Sequence, residues 1–421
     1  MAGSEFATTG CTGPKETLRL LVVGQGCAPT GFSRVIHSIL NHLPAGYEVS
    51  HFATNLKSPP PSSGNWKIFP NEMEEAQGLG ELVDRLAPDL VFLVDVVWAV
   101  ARFRALWEVP GRSYRVVLYL AAGEKEELTA KGMAQLVGAD RLVFYTAFAR
   151  DLARAALAEL APHCQGCGFS EIEVVPHGID PKTFFPIAGR DQQGLVSSRK
   201  KARRKIFPGD PSLQDQFIVL NANRNQVFKR IDVCLRGFAR FAKGKSDVRL
   251  YLHMATAKLA PGEIALVDEL GLRDRVMIST TGHQHPDFSD ERLNLLYNAC
   301  DVGINTSELE GWGLVAFEHA ATGAAQIVPG HGVCASLWNG AALQLATEDE
   351  TRVEGYRVEG KTATIESIAG SLELLYRQDE VRRNYAWAGY LHATRSTLLW
   401  SNVAREWDRI FREVVELSRT E

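Results

Sequence analysis

The sequence lacks the marks of a membrane-spanning, nucleic-acid-binding or disulfide-built protein. No apolar run approaches the ~20 residues of a spanning helix. An excess of one charge is also missing: 46 Lys and Arg against 50 Asp and Glu leave a net charge of −4, which supplies no overall positive field for nucleic acid. Cysteine is sparse, with seven residues at positions 11, 27, 164, 167, 234, 300 and 334, an odd number scattered along 421 residues. That pattern excludes a secreted disulfide scaffold and points to reduced thiols in a cytoplasmic protein. Only Cys164-Gln165-Gly166-Cys167 has metal-like spacing, with His163 and His177 nearby, and no second pair stands at the usual distance. A plain loop with two thiols is favoured there over a structural zinc. Met1 to Phe6 has neither a basic start nor an apolar signal core and reads as a tag remnant, with residues 1–16 a disordered N-terminus.

What is present is a globular composition, 45% hydrophobic and 23% charged, long enough for two or three domains. Short β-branched runs alternate with helix-period segments, the pattern of parallel strands joined by crossover helices, so the fold class is α/β. The first half reads as strands at Leu18–Val23, Glu48–Phe52, Leu90–Asp95, Val116–Leu120, Leu142–Tyr145 and Ile172–Val175, with helices such as Phe32–Leu43 and Ala147–Leu160. The second half repeats the alternation. Its strands are expected near Phe217–Asn221, Arg249–His253, Arg275–Ser279, Val302–Asn305 and Gln326–Val328, its helices near Ile231–Lys243, Gly262–Leu270, Ser289–Ala299 and Leu314–Thr322. Two doubly wound sheets follow.

Between the halves, Pro181 to Gln216 carries four prolines and no sustained apolar period, which marks a linker with a basic helix inside. The expected domains are therefore 17–185, a linker at 186–216, 217–395, and a last segment at 396–421. Arg199 to Lys205 places six basic residues in seven; a solvated helix face is favoured there over contact with anionic lipid or a phosphorylated acceptor. Lys57 to Gly64, with three consecutive prolines, reads as a surface loop. From Leu372 onward the chain reads as helical, and its aromatics Tyr376, Tyr385, Trp387, Trp400, Trp407 and Phe411 must pack on something. The last helix is expected to cross back and brace the first domain.

Three turns carry chemistry. The first strand runs into Gly24-Gln25-Gly26-Cys27-Ala28-Pro29-Thr30-Gly31 and then a helix, where small residues let backbone approach a phosphate. Pro29 replaces the third glycine of a dinucleotide fingerprint, and Thr54 and Asn55 stand where its acid belongs, so NAD is disfavoured; no Gly-Lys-Ser/Thr closes any glycine-rich turn either. The second turn, Asn221 to Asp232, holds Asn223, Arg224 and Lys229, a guanidinium fork and an ammonium that can share one pyrophosphate without a metal. In the third, Glu310-Gly311-Trp312-Gly313-Leu314-Val315 leads into a helix bearing Glu318. An ionised carboxylate only accepts hydrogen bonds and has two oxygens, so two such acids can each hold a diol of a sugar or ribose. Ordinary capping and surface acids, and a charged surface loop, are the plainer readings of these segments taken singly.

Taken together, the Glu-x7-Glu spacing of Glu310 and Glu318, Arg224 with Lys229, the turn closing at Gly31, and Val174-Val175-Pro176-His177-Gly178-Ile179-Asp180 with Phe184 and Pro186 resemble the retaining GT-B glycosyltransferases of family 4, from about residue 18 to 415. The resemblance implies two Rossmann-like domains facing across a cleft, the second binding a nucleoside-diphosphate sugar, the first a hydroxyl acceptor that is a small molecule, a glycan or lipid-linked. It implies transfer of a hexose-type sugar with retention and no metal or other cofactor. A sugar-nucleotide epimerase or hydrolase on the same fold is the alternative, and a non-catalytic subunit a third. By the same resemblance, Glu310 contacts the transferred sugar, Glu318 the donor ribose, and Arg224 and Lys229 the diphosphate. Amides of Gly311, Trp312, Gly313, Leu314 and Val315 help to hold sugar and phosphate, Gly31 allows close approach, and the base rests near Ser279 to Gly282. The histidine that many relatives carry after the fourth strand of the first domain is missing from Tyr119-Leu120-Ala121-Ala122-Gly123-Glu124, and Glu124 is a candidate for that polar contact. Trp312 either shapes the sugar pocket or packs beneath it. Donor base, sugar, acceptor and oligomeric state are not set by these residues.

Overall fold

The computed structural model describes residues 17–26, 30–56, 66–71, 78–123, 128–160, 172–255, 261–280, 286–354 and 356–420. Cys11, Cys27, Cys164, Cys167, His163, Glu124, Gly282 and the proline loop at 57–64 lie outside the described residues.

Two parallel sheets organise the chain. The first contains β1 (Leu18–Gln25), β2 (Tyr47–Thr54), β3 (Lys67–Asn71), β4 (Leu90–Val96), β5 (Arg115–Ala121), β6 (Arg141–Phe144) and β7 (Ile172–Val174), in the order β3-β2-β1-β4-β5-β6-β7. The second contains β8 (Phe217–Asn221), β9 (Val248–Ala255), β10 (Val276–Thr280), β11 (Val302–Ile304), β12 (Ala325–Pro329) and β13 (Leu343–Leu345), ordered β10-β9-β8-β11-β12-β13. Strand order reverses between β1 and β4 in one sheet and between β8 and β11 in the other. Crevices for ligands form at the carboxyl ends of strands flanking such a switch. The turns singled out in the sequence are the exits of β1, β8 and β11.

The central strands are nearly continuous apolar runs because helices cover both faces. Val22, Phe92, Val117 and Val143 on one sheet, and Val219, Leu250, Val302 and Ile327 on the other, are fully buried. Local chemistry sets the helix starts. Thr30 accepts from the Ser33 amide at 3.0 Å and opens helix Gly31–His42; Asp191 does the same for Gly194 at 2.6 Å and opens Gln192–Ile206.

That last helix corrects the expectation for two of the six basic residues in the run. Arg203 is 4% exposed, bonded to the carbonyls of Ala299 (2.9 Å) and Gln214 (3.0 Å) and paired with Asp301 at 2.6 Å. Arg199 reaches the carbonyls of Asn298 (3.1 Å) and Gly323. Those oxygens stand at the ends of helices Asp290–Ala299 and Leu314–Ala321, where unpaired carbonyls carry partial negative charge. Both arginines fasten the segment to the second sheet's helices, so neither a solvated face nor a lipid contact describes them; Lys200, Lys201, Arg204 and Lys205 stay exposed, as a solvated face requires.

Two segments cross between the sheets. Val175–Phe185 leaves the first, and Arg395–Trp400 returns. They meet side by side: the Ile179 amide donates to the Leu398 carbonyl at 2.6 Å, and the Trp400 amide to the Ile179 carbonyl at 3.3 Å. The final helix, Trp400–Thr420, then lies on the first sheet, with the Trp407 ring 4.7 Å from those of Phe92 and Tyr119. Asp408 accepts from the Tyr47 hydroxyl at 2.6 Å, and Arg409 pairs with Glu173.

Candidate active site

β8 delivers the chain into a turn built on asparagine. The Asn221 side chain accepts from the Asn223 amide at 3.1 Å. A single 3-10 turn, Val227–Lys229, follows, and Arg230 adopts φ 51° at the start of helix Ile231–Ala242. This left-handed residue is held by charge: its guanidinium is buried against Glu308, Thr362 and Asp232. The Glu308 amide donates to the Phe228 carbonyl at 2.8 Å. The turns after β8 and β11 are thereby locked together.

On that base the Lys229 ammonium lies 2.8 Å from Glu310 Oε2 and 3.3 Å from the Leu309 carbonyl. Asn305 Nδ2 donates to the same carboxylate oxygen at 3.2 Å, while Asn305 Oδ1 accepts from Asn223 Nδ2 at 3.2 Å and from the Ser307 amide at 2.9 Å. Lys229 and Glu310 are mostly buried, with side chains 11% and 16% exposed, so their charges act with little screening. None of these contacts falls on Glu310 Oε1. Arg224 stands half-buried in the same turn, and burial lowers its guanidinium below the ordinary arginine range.

After Glu310, Gly313 at φ 88° reverses the chain, a conformation that a side chain would strain, and starts helix Leu314–Ala321. The Ala316 amide is the first to turn back, donating to the Gly313 carbonyl, so the amides of Leu314 and Val315 form the helix's N-terminal face. The Trp312 ring is 4% exposed and stacked on Phe317 at 4.8 Å. Of its two sequence readings the ring satisfies the second: it packs beneath the turn. Glu318 is buried one turn further along, its Oε2 accepting from the Tyr297 hydroxyl at 3.2 Å. Burial pushes its carboxyl up, and Arg34 opposes this with its guanidinium 3.6 Å away.

The first domain closes directly over these turns. A Cβ added at Gly123 falls 2.8 to 3.0 Å from the backbone of Glu310, and one at Gly31 lies 3.4 Å from Leu314 Cδ1. The Ser279 hydroxyl, near the end of β10, is engaged by Tyr251 (3.1 Å) and His253 (2.7 Å) of β9. The structure thus gathers Asn223, Arg224, Lys229, Glu310, Gly311, Gly313, Leu314, Val315 and Gly31 at one cleft, with Glu318 beside it. His177 is also buried near its floor, among the rings of Tyr145, Trp312 and Trp400, and burial lowers it to about 3, so it stays neutral.

Sequence reasoning missed Asn305, Glu308, Arg230, Arg34 and Asp290. Arg230 and Glu308 were within reach, because Arg230 adjoins Lys229 and Glu308 stands two positions before Glu310. Removing one member of a buried pair leaves the other charge uncompensated, so Arg230→Ala is expected to cost about 3–5 kcal/mol of stability. Denaturant titration measures it, and a loss below about 1 kcal/mol, the scale of an exposed pair, would refute this account.

No family model matches the chain. Among curated proteins it is similar to the mannosylfructose-phosphate synthase of Agrobacterium fabrum, 27% identical over 168 residues, which are 38% of this chain and 33% of that protein. The chain thus spans about a third of that relative. Most of its length superposes on solved structures: sucrose-phosphate synthase from Thermosynechococcus elongatus, with a TM-score of 0.66 at 15% identity over 95% of this chain and 100% of the other. Anabaena Alr3699/HepE in complex with UDP and glucose gives 0.66 at 14% identity over 94% and 100%. The two facing doubly wound sheets are the GT-B fold.

Proposed function

We propose that the protein is a glycosyltransferase that moves a hexose-type sugar from a nucleoside-diphosphate sugar to a hydroxyl acceptor with retention of configuration. The observation that carries this reading is the buried Lys229–Glu310 pair set beside the N-terminus of helix Leu314–Ala321 at the strand-order switch of the second sheet. Helix N-termini and adjacent cations suit a diphosphate. In this reading Arg224, Lys229 and the Leu314 and Val315 amides hold the diphosphate and stabilise the charge that grows on it as the sugar leaves. Glu310 Oε1 faces sugar hydroxyls while Oε2 stays tied to Lys229 and Asn305. Same-face transfer follows, the departing phosphate oxygen accepting the acceptor's proton. The cations supply the charge that a metal would otherwise provide, so the reading makes the enzyme metal-independent.

The relatives' names make phosphorylated sugars the first acceptors to assay. The cytoplasm is the proposed compartment, in line with the buried thiols of Cys234 and Cys300, which form no disulfide. A thermal-shift screen against UDP-, GDP-, ADP- and dTDP-sugars tests donor binding. At one hundred times its dissociation constant the right donor adds about 2.7 kcal/mol to stability, a clear rise in Tm. No shift with any donor refutes the reading. Acceptor-free turnover of the donor would instead indicate an epimerase or hydrolase.

A further inference from the structure

One first-domain side chain touches the donor-side acid across the cleft. Arg34, in the first turn of helix Gly31–His42, places its guanidinium 2.6 Å from Asp290 and 3.6 Å from Glu318, both on the second domain. Its Cζ lies 5.4 Å from the ring of Phe184 in the outgoing crossing. One cation thus touches both lobes and the segment joining them.

The two distances differ in kind. At 2.6 Å Asp290 holds the guanidinium in a charge-assisted hydrogen bond, whereas 3.6 Å to Glu318 is beyond hydrogen-bond range and leaves only Coulomb attraction. Asp290 therefore keeps the cation close to Glu318 without letting it consume the Glu318 oxygen. Burial by itself would favour a protonated Glu318, which could no longer accept from both hydroxyls of a diol. The nearby positive charge opposes this. Because it belongs to the other lobe, it is withdrawn whenever the lobes part.

We propose that Arg34 is a cross-domain positioning residue that latches the lobes through Asp290 and holds Glu318 as a ribose acceptor only when they are closed. Its role toward the ribose rests on the transferase reading above; its role as a latch does not. Donor capture and closure then become one coupled event.

Small-angle scattering and donor titration separate the two roles. Arg34→Met, which keeps an apolar stem near Phe184, should enlarge the radius of gyration of the ligand-free protein, and Asp290→Asn should move it the same way. With UDP-glucose, or whichever donor the thermal screen selects, Arg34→Met should weaken binding about tenfold, within the usual range of coupling between sites, and raise KM more than it lowers kcat. Arg34→Lys, which keeps the charge, should restore most of both effects. Unchanged radii of gyration in Arg34→Met and Asp290→Asn overturn the latch. Unchanged affinity in Arg34→Met, when the wild-type protein binds donor, overturns the positioning role. A wild-type protein that binds no nucleotide sugar sinks the transferase reading and the ribose role with it, and the scattering result still decides the latch.

Discussion

Replacing Lys229 by alanine is expected to lower kcat about 10²- to 10³-fold at saturating donor, the scale seen when one preorganised group facing developing charge is removed. The ammonium has two jobs here. It faces the proposed diphosphate, and at 2.8 Å it neutralises a mostly buried Glu310. Deleting it strips the leaving group of a cation and turns Glu310 into a repulsive neighbour of the phosphates. Arg224→Ala should act in the same direction, through the leaving-group charge. Because Lys229 and Glu310 act as a unit, Lys229→Ala combined with Glu310→Gln should cost less than the sum of the separate losses. Initial rates with and without EDTA are the measurement. Near-normal turnover in both Arg224→Ala and Lys229→Ala, or abolition of wild-type activity by the chelator, would show that the charge is carried elsewhere.

Trp407→Ala is expected to destabilise the protein by about 3–5 kcal/mol, as large aromatic truncations in cores do. Trp407 is fully buried between Phe92 and Tyr119 of the first sheet and Phe411 of its own helix. The cavity would open in the first domain although the residue lies near the end of the chain. Denaturant melts followed by first-domain and second-domain probes should therefore shift most on the first-domain side. A loss under about 1 kcal/mol would mean that the site collapses around the deletion.

Most of the fold was legible because parallel strands buried on both faces are written as apolar runs. Ala147–Leu160 and Phe217–Asn221 have the same limits in sequence and structure, and other elements shift by a residue or two. What escaped has little pattern to show. β3 (Lys67–Asn71) is an edge strand with Pro70 inside it and no fully buried residue; β13 (Leu343–Leu345) is three residues long. The antiparallel pair Thr347–Glu354 and Tyr356–Ala363 was not read at all. In the site, Arg224, Lys229 and Glu310 could be chosen because each lies in the turn after a strand, and Glu318 because of its fixed spacing from Glu310. Arg34 could not, since its partner Asp290 is 256 positions away and only the meeting of two domains brings them together. The basic run at 199–205 misled at two of its positions for a related reason: composition counts charges, and Arg199 and Arg203 are spent on carbonyls that only the folded chain supplies.

The doubled passage at Ile179 has a mechanical consequence. A single strand between two bodies permits swivelling in every direction, whereas two bonded strands behave as a flat strap that bends easily across its width and resists twisting. Packing stiffens the strap further: a Cβ added at Gly178 would sit 2.5 Å from the Trp400 indole, so bulk there would pry the plies apart. A strap of this kind favours bending over twisting, so the lobes are expected to approach one another along a single swing.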